Sequence, residues 1–123
     1  LVWSLMFSSN NVVYVCSDLI NYSSLNSTHL SCSGIEQLEG QVINIIGLLS
    51  DYYMPEAFVH TSSALYVLEN QQNLNEVMSL NNSDFVFITK QYIYVEIVEK
   101  DYTNMTIFDK YTLEEVGQLI LPS

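Results

Sequence analysis

Four short apolar runs crowd the last forty residues of the 123-residue chain, and they limit what it can fold into. In DFVFITKQYIYVEIVEKDYTNMTIFDKYTLEEVGQLILPS, Asp84 to Ser123, the runs are Phe85–Thr89, Tyr92–Val98, Met105–Phe108 and Val116–Leu121. Each has the length of a strand and is bounded by a brief polar turn. Runs so short and so closely joined predict one four-stranded antiparallel meander, with Phe85–Thr89 innermost and Val116–Leu121 outermost. The turn from Asp109 to Glu115 holds a Thr112-Leu113-Glu114-Glu115 box that could open a helix. Gly117 and the apolar run after it leave little room for one. The turn therefore reads as a hairpin in which Asp109 and Thr112 bond nearby backbone amides.

Earlier segments open in the same way, with a strand, a tight polar turn, and a strand carrying Tyr-Val. They are WSLMFSSNNVVYVCSD, EAFVHTSSALYVLEN and DFVFITKQYIYVEIV, with the pairs at Tyr14-Val15, Tyr66-Val67 and Tyr94-Val95. The spacing is irregular, which repeats tolerate when insertions fall in loops. Three units follow, at residues 1–50, 56–80 and 84–123. The first runs Val2–Phe7, Val12–Ser17, a Ser- and Asn-rich excursion from Asp18 to Gly40 read as a loop, and Val42–Leu49. The second runs Ala57–Thr61 and Ala64–Glu69. Next comes NQQNLNEVMSLNN, whose Glu76–Leu80 is read as a strand because its neighbours are strands.

Several of these strands are apolar on both faces. Val12-Val13-Tyr14-Val15-Cys16, Phe85-Val86-Phe87-Ile88 and most of Tyr92–Val98 lack the alternation of a strand with one wet face. Such strands suit a sheet covered on both sides by neighbouring sheets. The pieces QYIYVEI, MTIFDKYTLEEV and the closing LIL resemble β-propeller repeats of secreted and cell-surface proteins, best over residues 84–123 and loosely over 1–80. The resemblance implies an all-β, antiparallel chain of about three blades, hence an arc of a larger propeller, since closed propellers use about four to eight. It also implies partners of one kind: other protein subunits, or further blades of a longer chain. The alternative is an immunoglobulin-like β-sandwich, which fits the length unaided. Tyr14-x-Cys16 imitates a motif of that fold, but Trp3 precedes both cysteines instead of lying between them.

Charge narrows the partners. Charged residues make up only 14% of the chain, against about a quarter in an average domain. There is no Arg, the only Lys residues are Lys90, Lys100 and Lys110, and the net charge is −11. Such a surface repels nucleic acid and anionic lipid, because neutralising phosphates needs Lys and Arg. The most apolar stretch, Val42 to Leu49, is far short of the roughly 20 residues of a membrane-spanning helix. LVWSLMFSSNN has neither initiator Met nor basic residues and is not read as a signal peptide. A chain beginning and ending in apolar runs looks cut from something longer, or processed.

Few residues invite chemistry. Cys16 and Cys32 are the only cysteines. With His29 they could begin a metal site, but structural zinc wants four ligands. A disulfide is the preferred reading, worth roughly 3 kcal/mol for a loop of about fifteen residues in the chain-entropy account. Sequons start at Asn21, Asn26, Asn81 and Asn104, two of them inside the Asp18–Gly40 excursion. Glycans need exposed loops in a secreted protein, so sequons and disulfide both point to an extracellular or cell-surface location.

His60, with Ser62 and Ser63, could seed a nucleophilic site, yet no serine-hydrolase motif is present. It reads instead as a histidine of a hairpin. Glu96, Glu99 and Asp101 could bind an ion or act as paired acids, although an acidic wet edge is the commoner arrangement. The nine Tyr could form a contact face or simply serve β-propensity. No cofactor is implied. The expectation is a non-catalytic extracellular interaction or scaffold module of a larger assembly. A glycosidase- or sialidase-like propeller fragment, or a small immunoglobulin-like secreted binder, stands as the alternative. The absence of Arg weighs against the enzyme.

Overall fold

The computed structural model describes residues 4–20, 28–35, 38–49, 55–69, 73–81 and 83–122. These residues form strands and turns, with no helix among them, and so none long and apolar enough to cross a membrane. The strands are β1 (Ser4–Ser9), β2 (Val12–Ile20), β3 (Thr28–Ile35), β4 (Val42–Leu49), β5 (Pro55–Thr61), β6 (Ala64–Glu69), β7 (Asn73–Ser79), β8 (Phe85–Ile88), β9 (Tyr92–Val98), β10 (Tyr102–Asp109) and β11 (Glu115–Pro122). They form three antiparallel meanders in chain order: β1-β2-β3, β4-β5-β6-β7 and β8-β9-β10-β11. The third is the sheet expected from the four apolar runs. β7 bears out a strand over most of Glu76–Leu80, although it begins at Asn73 and ends at Ser79.

Three expectations need correction. The excursion from Asp18 to Gly40 is not one loop: β2 continues to Ile20, and Thr28–Ile35 returns along it in register from Ile20↔Thr28 to Val13↔Ile35. The composition THLSCSGI hid this strand, because its pairing comes from β2 and not from its own propensity. Val42–Leu49 pairs with β5 from Leu49↔Pro55 to Val42↔Thr61, so it opens the second sheet and does not close the first. The Tyr-Val hairpins are therefore not equivalent. They are the first two strands of the first and third sheets but the middle two of the second. Two adjacent strands that are apolar on both faces fit either place. The two-sheet immunoglobulin-like sandwich fails too, since the strands divide into three sheets.

The second sheet lies between the other two. On one face Val59, Ala64 and Tyr66 pack with Val13 of β2, joined by Met6, Val42 and Ile45. On the other, Phe58, Leu65 and Leu80 pack with Val86, Ile93 and Val95 of the third sheet. This explains the lack of alternation in the central strands: both pleat faces of β5 and β6 are interior. The first strands also neighbour one another, β1 beside β4 and β4 beside β8.

Strand number sets their directions. Four antiparallel strands return the chain to the end where it started, whereas three leave it at the other. His60, paired with Asn44, meets Ser83 just before β8, while Glu56, paired with Leu48, meets Lys110, whose amide bonds Gln91 just beyond β8. β4 and β8 thus run the same way. The first sheet has three strands, and the turn ending β1 sits at the entry to β4. Asn11 Nδ2 donates to Gly40 O at 3.3 Å, and Val42 N donates to Asn11 Oδ1 at 2.7 Å. Asn10 and Asn11 both have positive φ (52° and 63°), the paired left-handed geometry of a tight two-residue hairpin that Asn tolerates.

The crossover before β4 is clamped from its other side as well. Thr61 Oγ1 donates to Glu39 O at 2.7 Å and accepts from the amides of Ser63 and Ala64. Gln41 N donates to Ser62 Oγ, and Glu39 N to the Tyr66 hydroxyl. Gly40 at φ +82° is required here, since a Cβ would lie 2.9 Å from Ser63 N and closer still to two serine hydroxyls.

Candidate interaction face

The third sheet shows how a meander becomes a surface. Because side chains alternate across each strand, one face carries Val86, Ile88, Ile93, Val95 and Phe108, which pack toward the second sheet. The register then places Phe85 and Phe87 of β8, Tyr94 of β9, Met105 and Ile107 of β10 and Leu119 of β11 on the opposite face. Nothing described covers that face. Phe85, Phe87 and Leu119 are 53%, 48% and 47% exposed, and the two phenyl rings stack at 6.3 Å. Contiguous exposed apolar side chains of this kind are a mark of interaction surfaces. Glu96, opposite Phe85 and Met105, is the carboxylate set among these side chains.

β11 adds an edge. Among the described residues it pairs only with β10, and Val116, Leu119, Ile120 and Leu121 are all exposed along it. Such an apolar edge strand offers unpaired backbone groups to another chain. Sequence reading found these residues as strand formers but not as surface. The signal available was the apolar character on both faces of the third unit, of which the second sheet covers one.

Between β4 and β8 runs a groove of about 660 Å³ lined by residues 43–47 and 84–89 with His60. Its polar side chains are held locally. Asn44 Oδ1 accepts from Ile45 N, Asp84 Oδ2 from Val98 N at 2.7 Å, and Thr89 Oγ1 from Tyr92 N. The lining presented to an occupant is mainly apolar.

Other singled-out residues fall as follows. Cys16 and Cys32 are bonded, directly opposite each other on β2 and β3 with Cα atoms 4.0 Å apart. Cys16 is buried and Cys32 exposed. His29 lies on β3, outside the Cys16–Cys32 bridge in register. His60 does not meet Ser62 or Ser63. Its Nε2 lies 2.9 Å from Ser83 Oγ, with His60 1% and Ser83 4% exposed. Burial holds the imidazole below its ordinary value, favouring the neutral ring. A nucleophilic serine must be reachable, and this one is shut between two sheets, where the pair joins β5 to the entry of β8.

Asn81 is exposed in the turn before β8, and its sequon partner Ser83 is that same buried hydroxyl. Asn104 lies within β10, where its Oδ1 accepts from Gln118 Nε2 at 2.9 Å. Asn21 and Asn26 lie outside the described residues. Glu96 sits on β9 while Glu99 and Asp101 sit in the following turn, and no group of metal-holding side chains forms among the described residues. The Asp109 turn is the expected one. Asp109 Oδ1 accepts from the amides of Tyr111 and Thr112 at 2.9 Å, and Thr112 Oγ1 from Glu114 N at 3.3 Å. The bonds from Thr112 and Tyr111 pull the Asp109 carboxyl below its ordinary value. No family model, curated protein or solved structure matches the chain.

Proposed function

We propose that this chain is a non-catalytic interaction module working outside the cell, disulfide-bonded and glycosylated, within a larger protein assembly. The observation that carries this reading is the uncovered apolar face of the third sheet, built around Phe85, Phe87 and Leu119. An enclosed core face and an open face of similar apolar character on one sheet suit a layer with a neighbour on each side. The disulfide supports an oxidising compartment, and the four sequons agree with it.

The blade reading gains support from the second and third sheets. Each is a four-stranded meander, and their first strands run side by side in one direction, as consecutive blades would. The first sheet fits less well, because its three strands bring the chain into β4 from the other end. A glycosidase would need carboxylates converging on one cleft, whereas Glu96, Glu99 and Asp101 spread along a strand and its turn.

The test is protein purified from its natural source, with sedimentation giving the assembly mass and glycopeptide mass spectrometry reading the four Asn. The expected result is a complex larger than the 14.1 kDa chain, lost in a Phe85→Ser/Phe87→Ser variant, with sugar on at least one of Asn21, Asn26, Asn81 and Asn104. A sugar-free monomer would overturn the reading.

A further inference from the structure

The sequon that opens at Asn81 is divided by the protein surface. Asn81 is exposed in the turn between β7 and β8. Ser83, which supplies the hydroxyl that completes the sequon, is 4% exposed, and its Oγ lies 2.9 Å from His60 Nε2. The backbone on either side is pinned as well. Leu80 N donates to Ser63 O and Asp84 N to Glu96 O, each at 2.9 Å. The Leu80 side chain is buried with Phe58 and Leu65 of the second sheet and Val86, Ile93 and Val95 of the third.

N-glycosylation needs both residues of the motif. The acceptor is defined by an Asn and by a Ser or Thr hydroxyl two residues on, so the transferase must reach the hydroxyl as well as the amide. In the reaction Asn81 Nδ2 attacks the anomeric carbon of an oligosaccharide carried on a lipid diphosphate. The C–N bond forms as the C–O bond to the diphosphate breaks. The amide gives up one proton, and the lipid diphosphate leaves with the bonding electrons. The folded chain offers the nitrogen and withholds the hydroxyl.

We infer that Asn81 accepts a sugar only while the third sheet is still apart from the second, and that docking of the two sheets shuts the site. This rests on the reading of the chain as a glycosylated extracellular module and deepens it by fixing when the sugar arrives. Chain order supports it. His60 and Ser63 precede the sequon, whereas Val86, Ile93, Val95 and Glu96 follow it, so the enclosure waits for residues synthesised later. Because Asn81 is exposed in the folded chain, a sugar already attached there does not obstruct the fold. The Ser83 hydroxyl carries no bond to the sugar and remains free to pair with His60. The fraction of chains modified at Asn81 therefore records how long the two sheets stayed apart.

The experiment takes the disulfide-intact chain, made sugar-free in a host lacking the transferase. It is offered to purified oligosaccharyltransferase with a lipid-diphosphate oligosaccharide donor, and glycopeptide mass spectrometry follows Asn81 over time. The folded chain is compared with full-length Ile93→Asp, which puts a carboxylate into the contact between the sheets, and with a synthetic peptide of residues 76–88. Val86→Asp/Ile93→Asp takes over should the single variant unfold in urea like the unchanged chain. The expected result is sugar on the peptide and on the opened chain, at a rate at least about tenfold above that of the folded chain, in which only the opened fraction reacts. Equal rates in folded chain and peptide would overturn the inference. So would an opened chain no faster than the folded one, or a peptide that takes no sugar. The module reading is tested separately. A sugar-free monomer from the natural source overturns it whatever the rates in vitro, while fast modification of the folded chain leaves it standing.

Discussion

The His60 imidazole and the Ser83 hydroxyl, 23 residues apart in sequence, lie 2.9 Å from each other between the second and third sheets, both buried. In the neutral ring one nitrogen donates and the other accepts, so the hydroxyl can bond Nε2 in either tautomer without charge. Protonation would place a cation in this buried position, which burial disfavours. Because the folded pKa is lowered from 6.5, the unfolded chain takes up the proton first. Stability is therefore unaffected by this group well above 6.5 and falls as pH drops from there toward the folded value. Urea unfolding between pH 7.5 and 5.5 should show this decline in the unchanged chain and a flatter profile in His60→Asn. Equal slopes would assign the effect elsewhere.

Removing only the hydroxyl leaves a buried ring nitrogen unpaired. Ser83→Ala should cost about 1–3 kcal/mol, read as a shift of the urea midpoint at unchanged slope. A neutral result would mean that the pair is not formed.

Lys110 ties the last hairpin of the third sheet to the second. Its ammonium is 2.6 Å from Glu56 and 5.6 Å from the centre of the Phe58 ring, with the lysine side chain 9% exposed. Glu56 keeps more contact with water, so the pair sits between the surface and buried limits. Glu56→Ala should cost about 1–2 kcal/mol, and Lys110→Met, which leaves no buried charge behind, clearly less. A double-mutant cycle checks the coupling, and zero coupling would refute it.

Two glycines should answer oppositely to the same substitution. Gly40→Ala puts a methyl against the Ser63 amide at a positive φ and should destabilise by more than about 1 kcal/mol. Gly47 on β4 has open space where a Cβ would stand, so Gly47→Ala should change stability by no more than about 0.5 kcal/mol, or raise it. Thermal melts of the pair, measured together, make the comparison.

The third sheet was legible because its strands carry their own apolar runs and join through short turns, so neighbours in sequence are neighbours in the sheet. β3 was not, because Thr28–Ile35 is a strand by virtue of β2 beside it. The placement of β4 failed on proximity alone. Nothing local in Val42–Leu49 says whether it turns back to the strands before it or forward to those after it. The choice follows from clamps at Asn11, Thr61 and Ser62, whose partners lie 21 to 31 residues away. His60 was noticed for its serine neighbours, while its true partner is a distant serine that looked like part of a sequon. The open face of the third sheet was implicit in strands apolar on both sides, but which side would be left without a cover depends on the order of stacking.

Reduction should cost the first sheet more than the others. Cys16→Ala/Cys32→Ala should lower stability by about 3 kcal/mol in the loop-entropy account. Amide exchange should quicken in β3 before it does in β9. Uniform quickening would contradict a local role.

The position of that bond has a further effect. Cys16 and Cys32 face each other across one rung of the β2–β3 ladder, so the covalent link fixes which residue of one strand opposes which of the other. A one-residue slip would turn every side chain of β3 to the wrong face, and THLSCSGI offers little apolar patterning to oppose it. The cystine acts as a ruler where the sequence lacks graduations. The connection from Ile20 to Thr28 is thereby relieved of any duty to measure length. Insertions or deletions there should leave the pairing of Val13 with Ile35 unchanged, and that stretch is free to vary for reasons of its own.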